Sequence, residues 1–240
     1  MEAGQKGPSA PLSEEAKQVI LGTLLGDGSL RRYKGYAYPR LVIKHSTKQR
    51  EYLQWKVSFL LGELGGSIKE VRDPMSKGTA KAVYVSSASP KLEGIFQLVS
   101  KGVRRKWLNQ LRPLGLCVWW LDDGSLVRNR TQAVLCTDSF SLKEVKVARR
   151  YFQKVWGLSF RIAPAKRGTQ RYRLWLRSTT ETKRFLRIIA PFVPECMKQK
   201  ILLYRKPSSR KRWASEIAGL VRFAISDEDI VQASRQREGS

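Results

Sequence analysis

Histidine is almost absent from this sequence, and cysteine is scarce and scattered. His45 is the one histidine among 240 residues, which excludes histidine-based catalysis and a multi-histidine metal site within one chain. The three cysteines, Cys117, Cys136 and Cys196, lie far apart and never form a CxxC pair. This odd number at such spacings argues against a disulfide framework and a zinc site. The pattern is typical of small core residues in a reducing compartment.

Long apolar runs are also lacking. No run of about eighteen apolar residues could span a membrane, and residues 1–12 lack the apolar core of a signal peptide. We therefore expect an unsecreted protein with no membrane partner. The expected location is intracellular, in a prokaryotic cytoplasm or an organelle (mitochondrion or chloroplast), and the sequence does not choose between them.

Acidic residues are few beside the basic ones. The chain has 46 Lys and Arg against 20 Asp and Glu, a formal net charge of +26 that is spread along its length. Such charge destabilises a compact chain by self-repulsion unless a polyanion is bound, so a nucleic acid is the first partner to consider. A ribosomal protein, an anionic membrane surface or a merely solvated basic surface would also explain the charge, which says nothing about catalysis.

Two apolar segments precede the same four residues. The first follows the N-cap Ser13, is expected to be helical to about Gly26, and is followed by Asp27-Gly28-Ser29-Leu30. Gly28 is expected to terminate this helix in the left-handed conformation. The second begins at Pro113, which suits a first helical turn, and runs into Asp123-Gly124-Ser125-Leu126. The two aspartates are 96 residues apart, a spacing that suits a duplicated domain.

The segments that follow the two helices come in the same order: a strand, a helix, a second strand and a last helix. In the first half we expect them at about 40–44, 46–66, 83–85 and 92–96, and in the second at about 133–135, 141–157, 171–177 and 185–189. The content of 42% hydrophobic residues is enough for a sizeable core. We predict a mixed α/β (α+β) fold of two similar halves. The expected limits are 1–12 for a flexible N-terminus, 13–109 and 110–206 for the halves, and 207–240 for a basic tail with a short helix.

The stretch 171–177 alternates with period two, which predicts a strand with one packed and one cationic face. In the first half, the stretch 40–44 shows the same pattern, with Arg40 and Lys44 at its ends. The cationic faces either contact a nucleic-acid backbone or are simply solvated. The cationic face of 171–177 carries Arg171, Arg173, Trp175 and Arg177, and the packed face carries Tyr172, Leu174 and Leu176.

The two helix ends resemble a known signature. Residues 20–28 read ILGTLLGDG and residues 116–124 read LCVWWLDDG, and both are similar to the nine-residue LAGLIDADG motif of homing endonucleases. The spacing resembles that of single-chain, two-motif members, and WWLDDGS with LCTDSFS…EV resembles the mitochondrial-intron branch. The resemblance covers about residues 14–205. The sequence departs from the signature at Leu25, in place of its first Asp, and at Val118, in place of its Gly; Gly115 or Cys117 would then supply the small surface at the helix contact.

The resemblance implies a fold and a metal site. It implies two pseudo-symmetric αββαββα repeats whose antiparallel sheets form a DNA-binding saddle, with the motif helices side by side. Asp27 and Asp123 would be catalytic and would bind Mg²⁺, with Mn²⁺ as a substitute, and the backbone carbonyls of Gly26 and Asp122 would be further ligands. Cations on hard oxygen ligands neutralise phosphate charge and activate water, which explains why no Cys or His cluster is needed.

The resemblance also implies one catalytic lysine near each aspartate. By position, these two catalytic lysines would be Lys101, which lies 74 residues after Asp27, and Lys200, which lies 77 residues after Asp123. Lys106 and Lys198 are the alternatives, and any of these lysines could instead be a solvated charge.

The function implied is a monomeric, site-specific homing endonuclease. It would make a metal-dependent double-strand break in a long asymmetric DNA target and leave short 3′ overhangs. The alternatives are an RNA maturase that assists splicing of intron RNA, or a DNA-binding regulator that does not cleave. A ribosomal or structural RNA-binding protein would explain the charge but not the duplicated Asp-Gly ends. The implied DNA contacts are Arg31, Arg32, Arg40, Lys44, Arg128, Arg130, Arg161, Arg171, Arg173 and Arg177.

Overall fold

The computed structural model describes residues 10–72, 80–166 and 168–235. The sequence predicts a flexible N-terminus at residues 1–12, and residues 1–9 of it lie outside the described residues. Contacts divide the chain into two compact units, Met1–Lys101 and Gly102–Ser240. Each unit is built around its own four-stranded antiparallel sheet.

The first unit has the order helix, two strands, helical segment, two strands, helix. Its sheet has the strand order β1-β2-β4-β3, and every neighbouring pair is antiparallel. The bounds are α1 Glu14–Thr23, β1 Gly28–Arg31, β2 Arg40–Ser46, α2 Arg50–Ser58, α3 Leu61–Leu64, β3 Ser67–Arg72, β4 Ala80–Val85 and α4 Glu93–Val99.

The second unit repeats this order after one additional short helix. Its sheet has the order β5-β6-β8-β7, again antiparallel throughout, so the two repeats expected from the sequence are confirmed at the level of elements. The bounds are α5 Arg105–Leu108, α6 Pro113–Asp123, β5 Gly124–Val127, β6 Gln132–Leu135, α7 Leu142–Trp156, β7 Arg161–Pro164, β8 Tyr172–Leu176, α8 Thr179–Ile189, α9 Pro207–Ile217 and α10 Asp227–Arg235.

The helix α5 groups with the second unit because it packs against α7. Its Arg105 guanidinium lies 5.6 Å from the ring centroid of Tyr151. The sequence had assigned this stretch to the first half, and its short helix was not expected.

Local signals explain α7. Ser141 caps the helix by accepting a hydrogen bond from the backbone N–H of Glu144, whose carboxylate accepts from the backbone N–H of Ser141 in return. Gly157 ends the helix with a φ of 63°, a conformation that favours glycine. The corresponding segment of the first unit is interrupted: a 3-10 turn over Thr47–Gln49 precedes α2, and α3 follows separately.

The alternation expected in β8 is confirmed at its two leucines, whereas Tyr172, expected on the packed face, is half-buried like Arg173 and Trp175. Leu174 and Leu176 are fully buried, whereas Arg171 and Arg177, which flank the strand, are exposed. The helix α7 packs against β8, so one side of this strand is covered.

The motif helix α6 is buried from Leu114 to Leu121, and its two tryptophans pack in the core of the second unit. The ring of Trp119 stacks on Phe152 at 5.6 Å between centroids, and the ring of Trp120 meets Phe185 edge-on at 5.3 Å. These contacts fix the helix that ends at Asp123.

The segment predicted as a basic tail contains two helices, of which α9 packs on the second unit. Trp213 Nε1 donates to the carbonyl oxygen of Ile201 at 2.8 Å, and Arg210 Nη1 donates to the carbonyl oxygen of Ile230 at 2.6 Å. Both side chains are buried, so this segment is part of the folded unit. Across the described residues, none of the helices has the length and apolar character that crossing a membrane requires.

Candidate active-site residues at the two motif helices

The end of α1 places the carboxylate of Asp27 at the surface of the first unit. Three successive turn hydrogen bonds extend the helix past Thr23, the last from the N–H of Gly26 to the Thr23 carbonyl oxygen at 3.1 Å. The residues of α1 from Val19 to Thr23 are buried, yet 42% of the Asp27 side chain is exposed. A rigid, buried helix therefore presents one accessible carboxylate.

The motif glycines do not serve as left-handed helix terminators, so the expectation for Gly28 was wrong. Gly28 and Gly124 each begin a strand without a positive φ, and Gly124 has φ −84° and ψ 149°. A Cβ on Gly28 would lie 2.4 Å from Thr23 Cγ2, and one on Gly124 would lie 2.0 Å from Trp120 Cε3. Glycine is required because the strand turns back against its own helix.

Asp27 has a histidine beside it. Nδ1 of His45, on β2, lies 3.5 Å from Oδ2 of Asp27. His45 is 3% exposed, and its Nε2 lies 3.2 Å from Nζ of Lys56. Lys56 lies on α2 and is fully buried. With a single histidine, the sequence predicts no histidine-based catalysis, and it indicates no role for Lys56. Position within a buried element could have drawn attention to both: His45 follows Leu41 and Ile43 on the buried face of β2, and Lys56 falls between Leu53 and Val57 on a packed helix face.

The end of α6 holds Asp123 directly before β5. The Asp123 carbonyl oxygen accepts a hydrogen bond from the backbone N–H of Cys136 at 2.9 Å, which ties the helix end to the strand-side backbone. Asp122 and Asp123 are partly exposed. The buried thiol of Cys117 lies behind them on the helix, and burial, with the Asp122 charge as a lesser cause, raises the pKa of Cys117 well above its usual value.

The structure brings Lys200 to the second motif. Its Nζ donates to the carbonyl oxygen of Gly124 at 2.7 Å, while Trp120 Nε1 donates to the carbonyl oxygen of Lys200 at 3.1 Å. Two hydrogen bonds thus join the lysine to residues on either side of Asp123.

The alternative Lys198 is engaged elsewhere. Its Nζ lies 3.0 Å from Oδ2 of Asp229, and this hydrogen bond is the main cause that raises the pKa of Lys198. In the first unit Lys101 lies in the exposed turn after α4, and no hydrogen bond or ion pair within the described ranges joins it to Asp27. Lys106, exposed on α5, belongs to the second unit.

The basic residues expected to contact DNA fall into two groups. Members of the first are held by neighbours within their own unit. Arg32 pairs with Glu93, and Arg40 Nε donates to the carbonyl oxygen of Ser86 at 2.8 Å. The second group is exposed and carries no ion pair in the described parts of the chain; it comprises Arg31, Lys44, Arg128, Arg161, Arg171 and Arg177.

Arg173 also belongs to the group that is held. Its Nε and Nη2 both donate to the carboxylate of Asp138, with Nε 2.7 Å from Oδ1. The hydrogen bond from Arg173 is the main cause that lowers the pKa of Asp138, and the same bond raises the pKa of Arg173.

Arg130 has a structural position that its sequence context did not indicate. Its Nε donates to the carbonyl oxygen of Leu202 at 2.9 Å, and its Nη2 donates to that of Gln199. Burial, followed by the charges of Arg210 and Arg205, lowers its pKa to about 10. Arg130 therefore clamps the segment that carries Lys200.

The loop between β1 and β2 carries exposed aromatic side chains that sequence reasoning missed. Tyr33, Tyr36 and Tyr38 are all exposed, and the guanidinium of Arg40 lies 5.4 Å from the ring centroid of Tyr36. The signal was present as the run RRYKGYAYPR, in which tyrosine alternates with basic and small residues.

Comparisons with known proteins agree with this arrangement. Residues 17–185 match the LAGLIDADG DNA endonuclease family. The chain is 30% identical over 210 residues to a Protein RecA from Mycobacterium shimoidei, across 80% of this chain and 47% of the relative, so it spans about half the length of that curated relative. It is 27% identical over 145 residues to the cytochrome b mRNA maturase bI2 from Debaryomyces hansenii, across 57% of this chain and 55% of the relative.

Solved structures share the fold. The homing endonuclease I-WcaI bound to its DNA recognition sequence superposes with a TM-score of 0.70 at 17% identity, across 81% of this chain and 88% of that one. I-DmoI in complex with DNA and Mn gives a TM-score of 0.51 at 15% identity, across 74% of this chain and 97% of that one.

Proposed function

This chain belongs to the LAGLIDADG DNA endonuclease family, and we propose that it is a site-specific homing endonuclease that breaks both strands of a long asymmetric DNA target and leaves short 3′ overhangs. The observation that carries the proposal is the repeated helix end. In each unit a buried motif helix leads to an aspartate, through a short turn to Asp27 and directly to Asp123, and a glycine without room for a side chain begins the strand that follows. Binding alone would not require an acidic residue at a surface that faces phosphate.

The donor set fits a divalent cation. The carboxylate of Asp27 is accessible, and Asp123 is partly exposed. Mg²⁺ prefers such hard oxygen ligands together with phosphate oxygens and water. We assign Asp27 and Asp123 as the carboxylate ligands, and Gly26 and Asp122 as carbonyl ligands. When bound, the ion would neutralise phosphate charge and lower the pKa of the attacking water, and Mn²⁺ would substitute for Mg²⁺.

The protein's own groups supply orientation and charge. Lys200, fixed by its hydrogen bond to the Gly124 carbonyl, offers an ammonium beside Asp123 that offsets negative charge developing on a scissile phosphate. We propose that Lys101 plays the same role beside Asp27 once DNA is bound. Two lysines and two aspartates would thus serve two phosphates.

Binding of double-stranded DNA by a monomer would rest on exposed cations. With a net charge of +26, the chain releases counterions from a duplex wherever its cations meet phosphates. The exposed group, which includes Arg171 and Arg177 at the ends of β8, would contact phosphates and base edges. The side chains of Arg32, Arg40 and Arg173 would contact DNA in the orientation that their partners impose. Arg130 would support the binding surface from behind.

A maturase is the second candidate because one relative carries that name. Intron RNA would then be the partner, and the same cationic residues would bind it. Retention of both aspartates favours cleavage over a purely structural role in splicing.

The test begins with a randomised duplex library incubated with the untagged chain and Mg²⁺, from which cut ends are sequenced. On a plasmid with the selected site, the unmodified protein is expected to make double-strand breaks. Asp27→Asn with Asp123→Asn should abolish cleavage and retain DNA binding. The matched control is Asp227→Asn with Glu228→Gln, which removes two exposed carboxylates of α10 and should leave cleavage unchanged. Full cleavage by the first double variant would reject the assignment.

A further inference from the structure

A buried line of three side chains leads from the interior of the first unit to Asp27. Lys56 is 0% exposed and His45 is 3% exposed, whereas Asp27 reaches solvent. Nζ of Lys56 lies 3.2 Å from Nε2 of His45, and Nδ1 of His45 lies 3.5 Å from Oδ2 of Asp27. The imidazole therefore has a different neighbour at each of its two nitrogens.

Packing holds this line in place. His45 lies on β2 and Lys56 on α2, and these two elements pack against each other. The ring of Tyr52, also buried, lies 5.1 Å from the ring of His45, and Nζ of Lys56 lies 4.7 Å from the centre of the same tyrosine ring. The face of an aromatic ring attracts a cation, so Tyr52 favours a charged ammonium at this position.

The second unit lacks this arrangement at the corresponding positions. Gly28 pairs with Ile43, and Gly124 pairs with Leu135, so His45 corresponds to Thr137, each two residues after the paired position. Thr137 is buried, and its hydroxyl donates to the carbonyl oxygen of Tyr172 at 2.6 Å.

Lys56 follows His45 by eleven residues, and the residue eleven after Thr137 is the buried Ala148. A hydroxyl and a methyl group thus replace the imidazole and the ammonium. At the second helix end it is Lys200 that contacts the motif, through the carbonyl oxygen of Gly124. The two aspartates of the proposed endonuclease are therefore oriented by different means.

We propose that Lys56 and His45 are positioning residues for Asp27 and that they make the two strands of the target unequal in their rates of cleavage. The ammonium of Lys56 has donors only, so Nε2 of His45 accepts, and the ring proton lies on Nδ1, facing Asp27. An N–H at that place holds one oxygen of the Asp27 carboxylate and thereby fixes the orientation of that carboxylate. Removing an outer partner that hydrogen-bonds to a metal-ligating carboxylate typically lowers metal affinity or activity by about 10-fold to 100-fold.

The first test uses the single histidine and needs neither metal nor DNA. Untagged protein labelled with ¹⁵N-histidine gives the signals of one imidazole, and their ¹H–¹⁵N correlations report which nitrogen carries the proton. At about pH 8 the proton is expected on Nδ1, because Nε2 accepts from Lys56. Lys56→Met should redistribute it. A ring protonated on Nε2 in the unmodified protein, or a pattern that Lys56→Met leaves unchanged, would overturn the proposal.

The second test measures the nicking rate of each strand separately on a duplex labelled at both ends. His45→Leu is expected to change the ratio of the two rates by about 10-fold or more. His45→Gln should retain the original ratio because its amide oxygen accepts from Lys56 while its NH₂ group donates to Asp27. Thr137→Val, the matched change in the second unit, should leave the ratio unchanged.

A general loss of stability would slow both strands alike. A ratio that His45→Leu leaves unchanged, or that His45→Gln changes equally, therefore overturns this inference. The inference rests on the proposed function, but the two fail differently: without endonuclease activity the unmodified protein cuts no selected duplex, while the imidazole signals still show whether His45 is held as proposed.

Discussion

Lys200 donates a hydrogen bond from its Nζ to the carbonyl oxygen of Gly124, 2.7 Å away, and Gly124 directly follows Asp123. The carbonyl oxygen of Lys200 accepts a hydrogen bond from Nε1 of Trp120, which lies on the motif helix that ends at Asp123. The 3-10 segment Glu195–Lys200 is thereby fixed to the helix end, so the Lys200 ammonium is held at the residue that follows Asp123 before any substrate is bound.

Lys200→Met should lower the rate of DNA cleavage by about 100-fold, because a preorganised donor near the developing negative charge is lost. DNA binding should change little. Single-turnover cleavage at saturating protein measures the effect. Lys198→Met is the matched control, since Lys198 pairs with Asp229 instead, and it should cleave at close to the original rate. Equal losses in the two variants would contradict the assignment of Lys200.

Arg210→Met should lower the free energy of unfolding by about 2 kcal/mol, because the buried carbonyl oxygens of Ile230 and Tyr204 lose their donor. Urea denaturation followed by tryptophan fluorescence measures this change. Arg212, exposed on the same helix, provides the control, and Arg212→Met should stay within about 0.5 kcal/mol. If both variants unfold at the same urea concentration, the hydrogen bonds from Arg210 to Ile230 and Tyr204 do not stabilise the fold as described.

Gly124→Ala should destabilise the second unit by about 1–3 kcal/mol, because the new Cβ would lie 2.0 Å from Trp120 Cε3 and 2.5 Å from the Trp120 carbonyl oxygen. Gly94→Ala is the comparison: nothing lies within 4 Å of its added Cβ, and alanine favours the helix α4. Thermal unfolding of the two variants should therefore shift in different ways, with a lower Tm only for Gly124→Ala. A Tm for Gly124→Ala equal to that of the parent would show that the helix end can relax.

Arg177→Gln should reduce the magnitude of the slope of log binding constant against log salt concentration by about one, because one phosphate contact is lost. Titrations of the selected duplex at several salt concentrations measure it. Arg149→Gln removes an equally exposed charge from α7, which packs against β8, and should leave the slope unchanged. The interface would have to be placed elsewhere if only Arg149→Gln altered the slope.

Features that depend only on residues close together in the chain were predictable from the sequence. The Ser141 cap and the Gly157 terminator define α7 because both signals act within a few residues of the helix. The alternation of β8 likewise follows from period-two burial, which a single strand displays by itself. The duplication was visible because both copies kept the same four residues after the helix.

Features that depend on distant contacts were not predictable. Gly28 looks like a helix terminator until the strand that it begins is paired with Ile43. Arg130 looks like any surface arginine, but its guanidinium reaches carbonyl groups about seventy residues further along the chain, at Gln199 and Leu202. Lysine is usually exposed, so nothing in the local sequence predicts that Lys56 is buried. In the structure α2 and β2 bury Lys56 against His45.

The most direct test of the central claim is a crystal structure of the chain on its selected DNA target with a divalent cation. The account predicts that the carboxylates of Asp27 and Asp123 coordinate ions at the two scissile phosphates, one on each strand. Ions held by other residues, with either aspartate remote from the phosphate that is cut, would contradict it.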